Sequence, residues 1–158
     1  MRVVKYLGRV SLVSFYNPNL GRVFQGQGQY AAAQRYFEQA LAIRKRVLGS
    51  DHPSIAGSLT NVASVLIEQG QYAAAQRYFE QALAIHERVL GPDHPDTARS
   101  LNNLGGTFQL EGRYAEAQRY FEQALAIHER VLGPDHPFTR IVQRNLASLA
   151  DRNQEGQA

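Results

Sequence analysis

Residues 28–43 read Gly-Gln-Tyr-Ala-Ala-Ala-Gln-Arg-Tyr-Phe-Glu-Gln-Ala-Leu-Ala-Ile, and the loop Leu-Gly-Ser-Asp-His-Pro follows at 48–53. The same block returns at 70–85 and, with Arg113 and Glu116 as its changes, at 112–127. Tyr30, Tyr72 and Tyr114 keep a spacing of 42 residues, as do Pro53, Pro95 and Pro137, so no insertion disturbs the period. A strict period in this range is the signature of stacked repeats, each unit unable to bury its apolar face alone.

One repeat is enough to read the local structure. From Tyr114 to Leu132, apolar residues Ala117, Tyr120, Phe121, Ala124, Leu125 and Ile127 fall at intervals of three and four, the face of an amphipathic helix. Leu132-Gly133 closes that helix, since glycine takes the left-handed conformation of a helix end, and Pro137 suits the first turn of the next. Asp135 lies beside the positive end of that next helix. The segment Asp96 to Gly112 repeats the pattern, with Ala98, Leu101, Leu104, Gly105 and Phe108 in one stripe. Each period is therefore a pair of helices. Gly21, Ala63, Gly105 and Ala147, equivalent positions, mark close helix crossings, as do Ala117 and Ala124 on the second helix, with large aromatics filling the space between pairs.

Glycine at the end of the first helix, tyrosine two residues later, alanine three after that, then an aromatic and Ala-Leu, together resemble the tetratricopeptide repeat (TPR). The longer period, Ser100-Leu-Asn-Asn-Leu104 and Ala-Leu-Ala-Ile-x-x-x-Val-Leu-Gly-x-Asp-His-Pro are similar to the TPR arrays of kinesin light chain and its bacterial relatives, over about residues 19 to 150. The resemblance implies an all-α fold, a right-handed α-solenoid of antiparallel helix pairs in a TPR superhelix, with a C-terminal capping helix.

The ends depart from the pattern. Residues 1–18 form a degenerate N-terminal segment in which only Leu7-Gly8 hints at an earlier loop, and Pro18 limits how far back the first helix extends. Arg2, Lys5 and Arg9 precede no uninterrupted apolar core or cleavage site, so a degenerate repeat fits better than a targeting peptide. The array spans 19–152 as about three repeats. Phe138 to Asp151 is its capping helix, where Gln143 replaces the core residues Leu59 and Leu101 and Arg140, Arg144 and Arg152 meet water. Residues 153–158 read as a disordered tail.

Composition narrows the function. The 158 residues contain no cysteine, which removes thiolate metal sites, disulfides and cysteine nucleophiles, and a cytoplasmic location is the default. The net charge of +3 comes from scattered arginines without a basic run, and positive charge alternates with Glu116 and Glu122 around Arg119, so nucleic-acid binding is the weakest reading. No apolar stretch approaches the roughly 18 residues of a membrane span. Asp51-His52, Asp93-His94 and Asp135-His136 read as capping and loop geometry, because equivalent loops about 10 Å apart cannot share a metal whose ligands lie within about 2.3 Å. His86-Glu87 and His128-Glu129 lack the second histidine of a metalloprotease motif, Leu90 and Leu132 standing there instead. Gly26-Gln-Gly28 and Gly105-Gly106 lack the context of a phosphate loop, and Tyr36, Phe37, Tyr78, Phe79, Tyr120 and Phe121 sit in core register. No enzyme, cofactor or metal is indicated.

The candidate site rests on the resemblance. In that fold the first helix of each pair lines the concave groove, and Asn19, Asn61, Asn103 and Asn145 face into it as a ladder of amides that suits the backbone of an extended peptide. Arg22, Thr60, Ser64, Arg99, Asn102 and Arg144 are neighbouring groove positions, and together they imply a polar, net positive groove for an extended peptide with acidic residues. The competing reading is that the asparagines bond to the adjacent helix and hold the repeats in register. The expected function is protein binding, as adaptor or scaffold. The alternative is self-association of nearly identical repeats as a dimer through an uncapped N-terminal end.

Overall fold

The computed structural model describes residues 18–155, all but the connections being helical. Seven α-helices follow one another: α1 (Pro18–Gly26), α2 (Tyr30–Leu48), α3 (Pro53–Glu68), α4 (Tyr72–Leu90), α5 (Pro95–Leu110), α6 (Tyr114–Leu132) and α7 (Pro137–Glu155). No strand occurs among the described residues. The fold class is an all-α solenoid of helical repeats. The segment before Pro18, with its suspected earlier loop and the N-terminal end invoked for dimerisation, lies outside the described residues, as do residues 156–158 of the expected tail. Helix α7 itself runs to Glu155, three residues into that tail.

The chain forms two compact units, one through Tyr78 and one from Phe79 onward, so α4 contributes to both. In the first unit α2 packs against α1 and α3. In the second α6 packs against α5 and α7, and α5 also touches α7.

Burial follows the apolar periodicity. Helix α6 buries Ala117, Phe121, Ala124, Ile127 and His128, the narrow stripe of an amphipathic helix. Helix α5 buries a wider face, with Thr97, Ala98, Ser100, Leu101, Leu104, Gly105, Thr107 and Phe108 all enclosed. Helix α3 buries the same register one period earlier, from Ile55 to Leu66.

The crossing of the two helices in a pair is set by a ring against a backbone. A Cβ placed on Gly105 would lie 2.6 Å from two ring carbons of Phe121, and one on Gly21 would collide with the ring of Phe37. Phe121 is fully enclosed. Ala117 and Ala124 are equally buried one turn on either side of it on α6, as their register requires. Ala147, the fourth member of the small-residue set, is instead exposed, since among the described residues no helix lies against that face of α7. Beside these crossings Phe108 stacks on Tyr120 with centroids 5.2 Å apart, and the Arg113 guanidinium lies over the Phe108 ring at 4.4 Å.

Helix ends are closed by two devices. Gly112 sits at φ +77, which lets the Arg113 amide donate to the Phe108 carbonyl at 2.9 Å and ends α5 cleanly. The helix starts are capped from the Asp-His pairs. The cap is the imidazole of His52, His94 and His136, whose Nδ1 accepts from the amides of Ser54, Asp96 and Phe138 at 3.1 to 3.2 Å. The neighbouring aspartates play another part: Asp93 pairs with Arg130 and Asp135 with Arg140. Thr97 and Thr139 tie the same loops by donating to the carbonyls of Gly91 and Gly133 at 2.8 Å.

Between α2 and α3, Arg44 donates to Ser58 Oγ at 2.7 Å, and one period later His86 Nδ1 lies 2.9 Å from Ser100 Oγ. His86 and His128 are both buried, and burial is the main reason that each imidazole titrates below its ordinary value of 6.5. Asp96 pulls His86 back upward, and the Pro95 carbonyl does the same for His128, without reversing the direction.

Two outcomes follow from this packing. Gly105→Ala forces the Phe121 ring to move and is expected to cost about 1–3 kcal/mol, read as a lower urea midpoint; an unchanged midpoint would show that the crossing is not tight. The two depressed histidines give stability a pH slope. Below about pH 6.5 the unfolded chain takes up protons that the folded chain refuses, so stability is full above that value and falls as the pH drops toward the folded pKa values. The melting temperature should decline between pH 7 and pH 5, and the double variant His86→Gln/His128→Gln should flatten the decline; an equal slope in that variant contradicts the assignment.

Candidate functional site

The first helices of the repeats, α1, α3, α5 and α7, carry the candidate residues, and the structure divides them. In the first unit Asn19 and Arg22 are exposed on α1, and Thr60, Asn61 and Ser64 are half-buried on α3. Thr60 donates its hydroxyl to the Ala56 carbonyl at 3.0 Å and Ser64 donates to that of Thr60 at 2.9 Å. Such bonds to the preceding turn occupy these hydroxyls within their own helix.

In the second unit Arg99, Asn102 and Asn103 form the polar edge of one partly enclosed cleft of about 200 Å³ between α5 and α7. Its opposite wall is apolar, made by Phe138, Ile141 and Val142, and His128 of α6 also lines it. Phe138 and Ile141 keep 42% and 39% of their surface exposed, which leaves an uncovered apolar strip at the cleft. Arg144 lies apart from this cleft. With Arg140, Gln143 and Ala147 it lines a second, more open depression on α7.

The two adjacent asparagines of α5 have different surroundings. Asn145 Nδ2 donates to Asn102 Oδ1 at 2.9 Å, and Gln109 Nε2 donates to Ser148 Oγ at 3.0 Å, so two side-chain bonds lock α7 to α5. That is the register role for Asn145 and Asn102. Asn103, half-buried at the cleft edge, has no side-chain hydrogen bond among the described residues, and its amide keeps two donors and an acceptor available. Arg99 is paired with Asp96 at 2.9 Å, so part of the positive charge at this edge is already neutralised.

Sequence reasoning did not pick out His128, Phe138, Ile141 and Val142 as site residues. The available signal was the register: positions 58 and 100 are serine, and position 142, one further period on, is valine. Among the described residues no group of three or more histidine, aspartate or glutamate side chains is placed to hold a metal ion. No helix among them is long and apolar enough to cross a membrane.

The comparisons agree with the fold of helical repeats. The tetratricopeptide repeat family profile matches residues 11–85, 54–129 and 102–158. The nearly identical TPR-like repeats assigned to a kinesin light chain of Podosopora anserina are 32% identical, with a TM-score of 0.72 over 89% of this chain and 66% of theirs. BtubC (BKLC) from P. vanneervenii superposes with a TM-score of 0.82 at 23% identity, over 94% of this chain and 59% of its own, and shares the fold. The N-terminal domain of stress-induced protein-1 from C. elegans, at 17% identity and TM-score 0.62, covers 87% of this chain and 96% of that domain and likewise shares the fold alone. No curated protein matches the sequence. The chain thus spans somewhat under two thirds of its kinesin light chain-like relatives. Periodicity, helix pairing and these matches converge: the chain belongs to the tetratricopeptide repeat family, with repeats of the kinesin light chain-like kind.

Proposed function

We propose that the chain is a protein-binding module that takes an extended segment of a partner along the cleft between α5 and α7, as an adaptor or scaffold. Repeats of this family mediate protein–protein interaction, which supports the class of function. The observation that carries the more specific reading is the Asn103 amide. It stands at the cleft edge without a side-chain hydrogen bond among the described residues, whereas Asn145 donates to Asn102. An amide with free donor and acceptor matches a peptide backbone whatever the side chains, since every peptide unit offers one of each. The uncovered strip of Phe138 and Ile141 supplies apolar contact opposite it.

An acidic residue in the segment suits the cationic edge. Arg99 retains further guanidinium donors beyond its bond to Asp96, and Arg144 has no ion pair among the described residues. These are exposed charges, so they favour encounter and register more than affinity, and their effect should fade with salt.

The test is selection of unstructured peptides from a display library on the full chain, followed by titration with the wild type and Asn103→Ala. Loss of a net hydrogen bond of about 0.5–1.5 kcal/mol predicts binding weakened roughly two- to tenfold, with the melting temperature unchanged. A variant that melts early with no separate loss of binding would assign Asn103 to the scaffold instead.

A further inference from the structure

Helix α7 repeats the face with which α5 holds α6, but with other side chains on it. In the α5–α6 pair two contacts set an antiparallel register: the Phe121 ring lies on Gly105, and His128 Nε2 lies 3.2 Å from the Pro95 carbonyl in the first turn of α5. Ala98 and Leu101, between those contacts, are buried. One period on, the positions of Ala98, Leu101 and Gly105 are Arg140, Gln143 and Ala147. Together with Arg144 these line an open depression of about 490 Å³. A helix is the shape that fits, because the equivalent face of α5 holds one.

The exchanged residues decide which helix. Another of the kind this chain repeats is a poor occupant. Phe37, Phe79 and Phe121 are followed three residues later by Ala40, Ala82 and Ala124, and seven residues later by Arg44, His86 and His128. In the same register the alanine would cover the Gln143 amide without a hydrogen bond, and the imidazole or guanidinium would meet Arg140. The lining holds two guanidinium groups and no carboxylate. Arg140 makes one bond to Asp135 at 2.9 Å and stays 63% exposed, and Gln143 donates to Glu129 Oε1 at 3.3 Å. Arg144 has no ion pair among the described residues. A guanidinium has five N–H donors, so both arginines keep donors for a carboxylate brought from outside. The exposed methyl of Ala147, at the other end of the depression, suits an apolar side chain.

We propose that this face of α7 docks an antiparallel amphipathic helix of a partner protein. That helix sets an aliphatic side chain on Ala147 and carboxylates three and seven residues later, the first at Gln143 and Arg144 and the second at Arg140. The surface shares no lining residue with the α5–α7 cleft and does not rest on the extended-segment reading.

The probe is a stapled alanine-based helix carrying leucine and, three and seven residues later, glutamate, compared with a twin that has lysine at both glutamate positions. Each is titrated at low salt into the full chain, 15N-labelled. The expected result is saturable shifts at the amides of Arg140, Gln143, Arg144 and Ala147, with the lysine twin bound roughly tenfold more weakly and the difference shrinking as salt is raised. Arg140→Glu/Arg144→Glu should invert the preference in favour of the lysine twin. Should that variant fold poorly, Arg144→Ala alone should weaken the glutamate helix roughly two- to fivefold. Equal binding of the two helices, no saturable binding of either, shifts centred on Asn103 and Ile141, or a preference that survives the charge reversal overturns the proposal. So does a dimer that forms on concentrating the chain and is dispersed by Ala147→Arg, which assigns the face to a second copy. Asn103→Ala should leave the affinity for the glutamate helix unchanged, so the failure of this proposal and that of the extended-segment reading are told apart.

Discussion

A phenylalanine ring laid on a glycine backbone is the contact from which the rest of the second unit is positioned. Phe121 of α6 lies so close to Gly105 that a single methyl group would displace it, and this fixes how deeply the two helices of the pair approach. Interiors packed at this density do not deform gradually, so the depth of that crossing determines where the opposite flank of α5 stands. That flank bears Arg99, Asn102 and Asn103. The first unit uses the same device at Gly21 and Phe37, and the bulk of the ring explains why its partner positions are small.

Much of the architecture was legible because the relevant signals are local and repeated. The spacing of Ala117, Phe121 and Ala124 defines a helix and its buried face, and the glycine before Arg113 defines an end. What was not legible depended on distances across the hairpin. That position 86 meets position 100 cannot be read from either helix alone, so the loss of serine at 142 carried no meaning until the two helices were placed together. Asn102 and Asn103 are indistinguishable as letters, yet one faces Asn145 and the other the cleft. The Asp-His-Pro spelling marks a capped helix start, but which of the two side chains caps is decided by geometry: the imidazole Nδ1 accepts from the amide two residues on, as a carboxylate usually does there.

Repetition and its exceptions divide the work in this chain. Where the repeats agree, the residues hold helices together: the buried alanines, the ring in the crossing, the histidine cap. Where they differ, chemistry becomes local to one place. Val142 leaves the buried His128 Nδ1 without a partner among the described residues, Gln143 turns a core position toward Glu129 of α6, and Arg140 and Arg144 make an exposed side of α7 polar. Binding by an array of near-identical units gains direction and register from such differences, since identical repeats alone would hold a uniform chain equally well at any offset.

The account turns on the claim that the edge of α5 meets the backbone of a bound polypeptide. Intermolecular nuclear Overhauser contacts from the side-chain amide protons of Asn103 to a selected, isotope-edited peptide test it most directly. The account predicts contacts to successive backbone amide and α protons of an extended peptide, accompanied by contacts from Phe138 and Ile141. Contacts confined to the outer face of α6, with the Asn103 amide unperturbed, would contradict it.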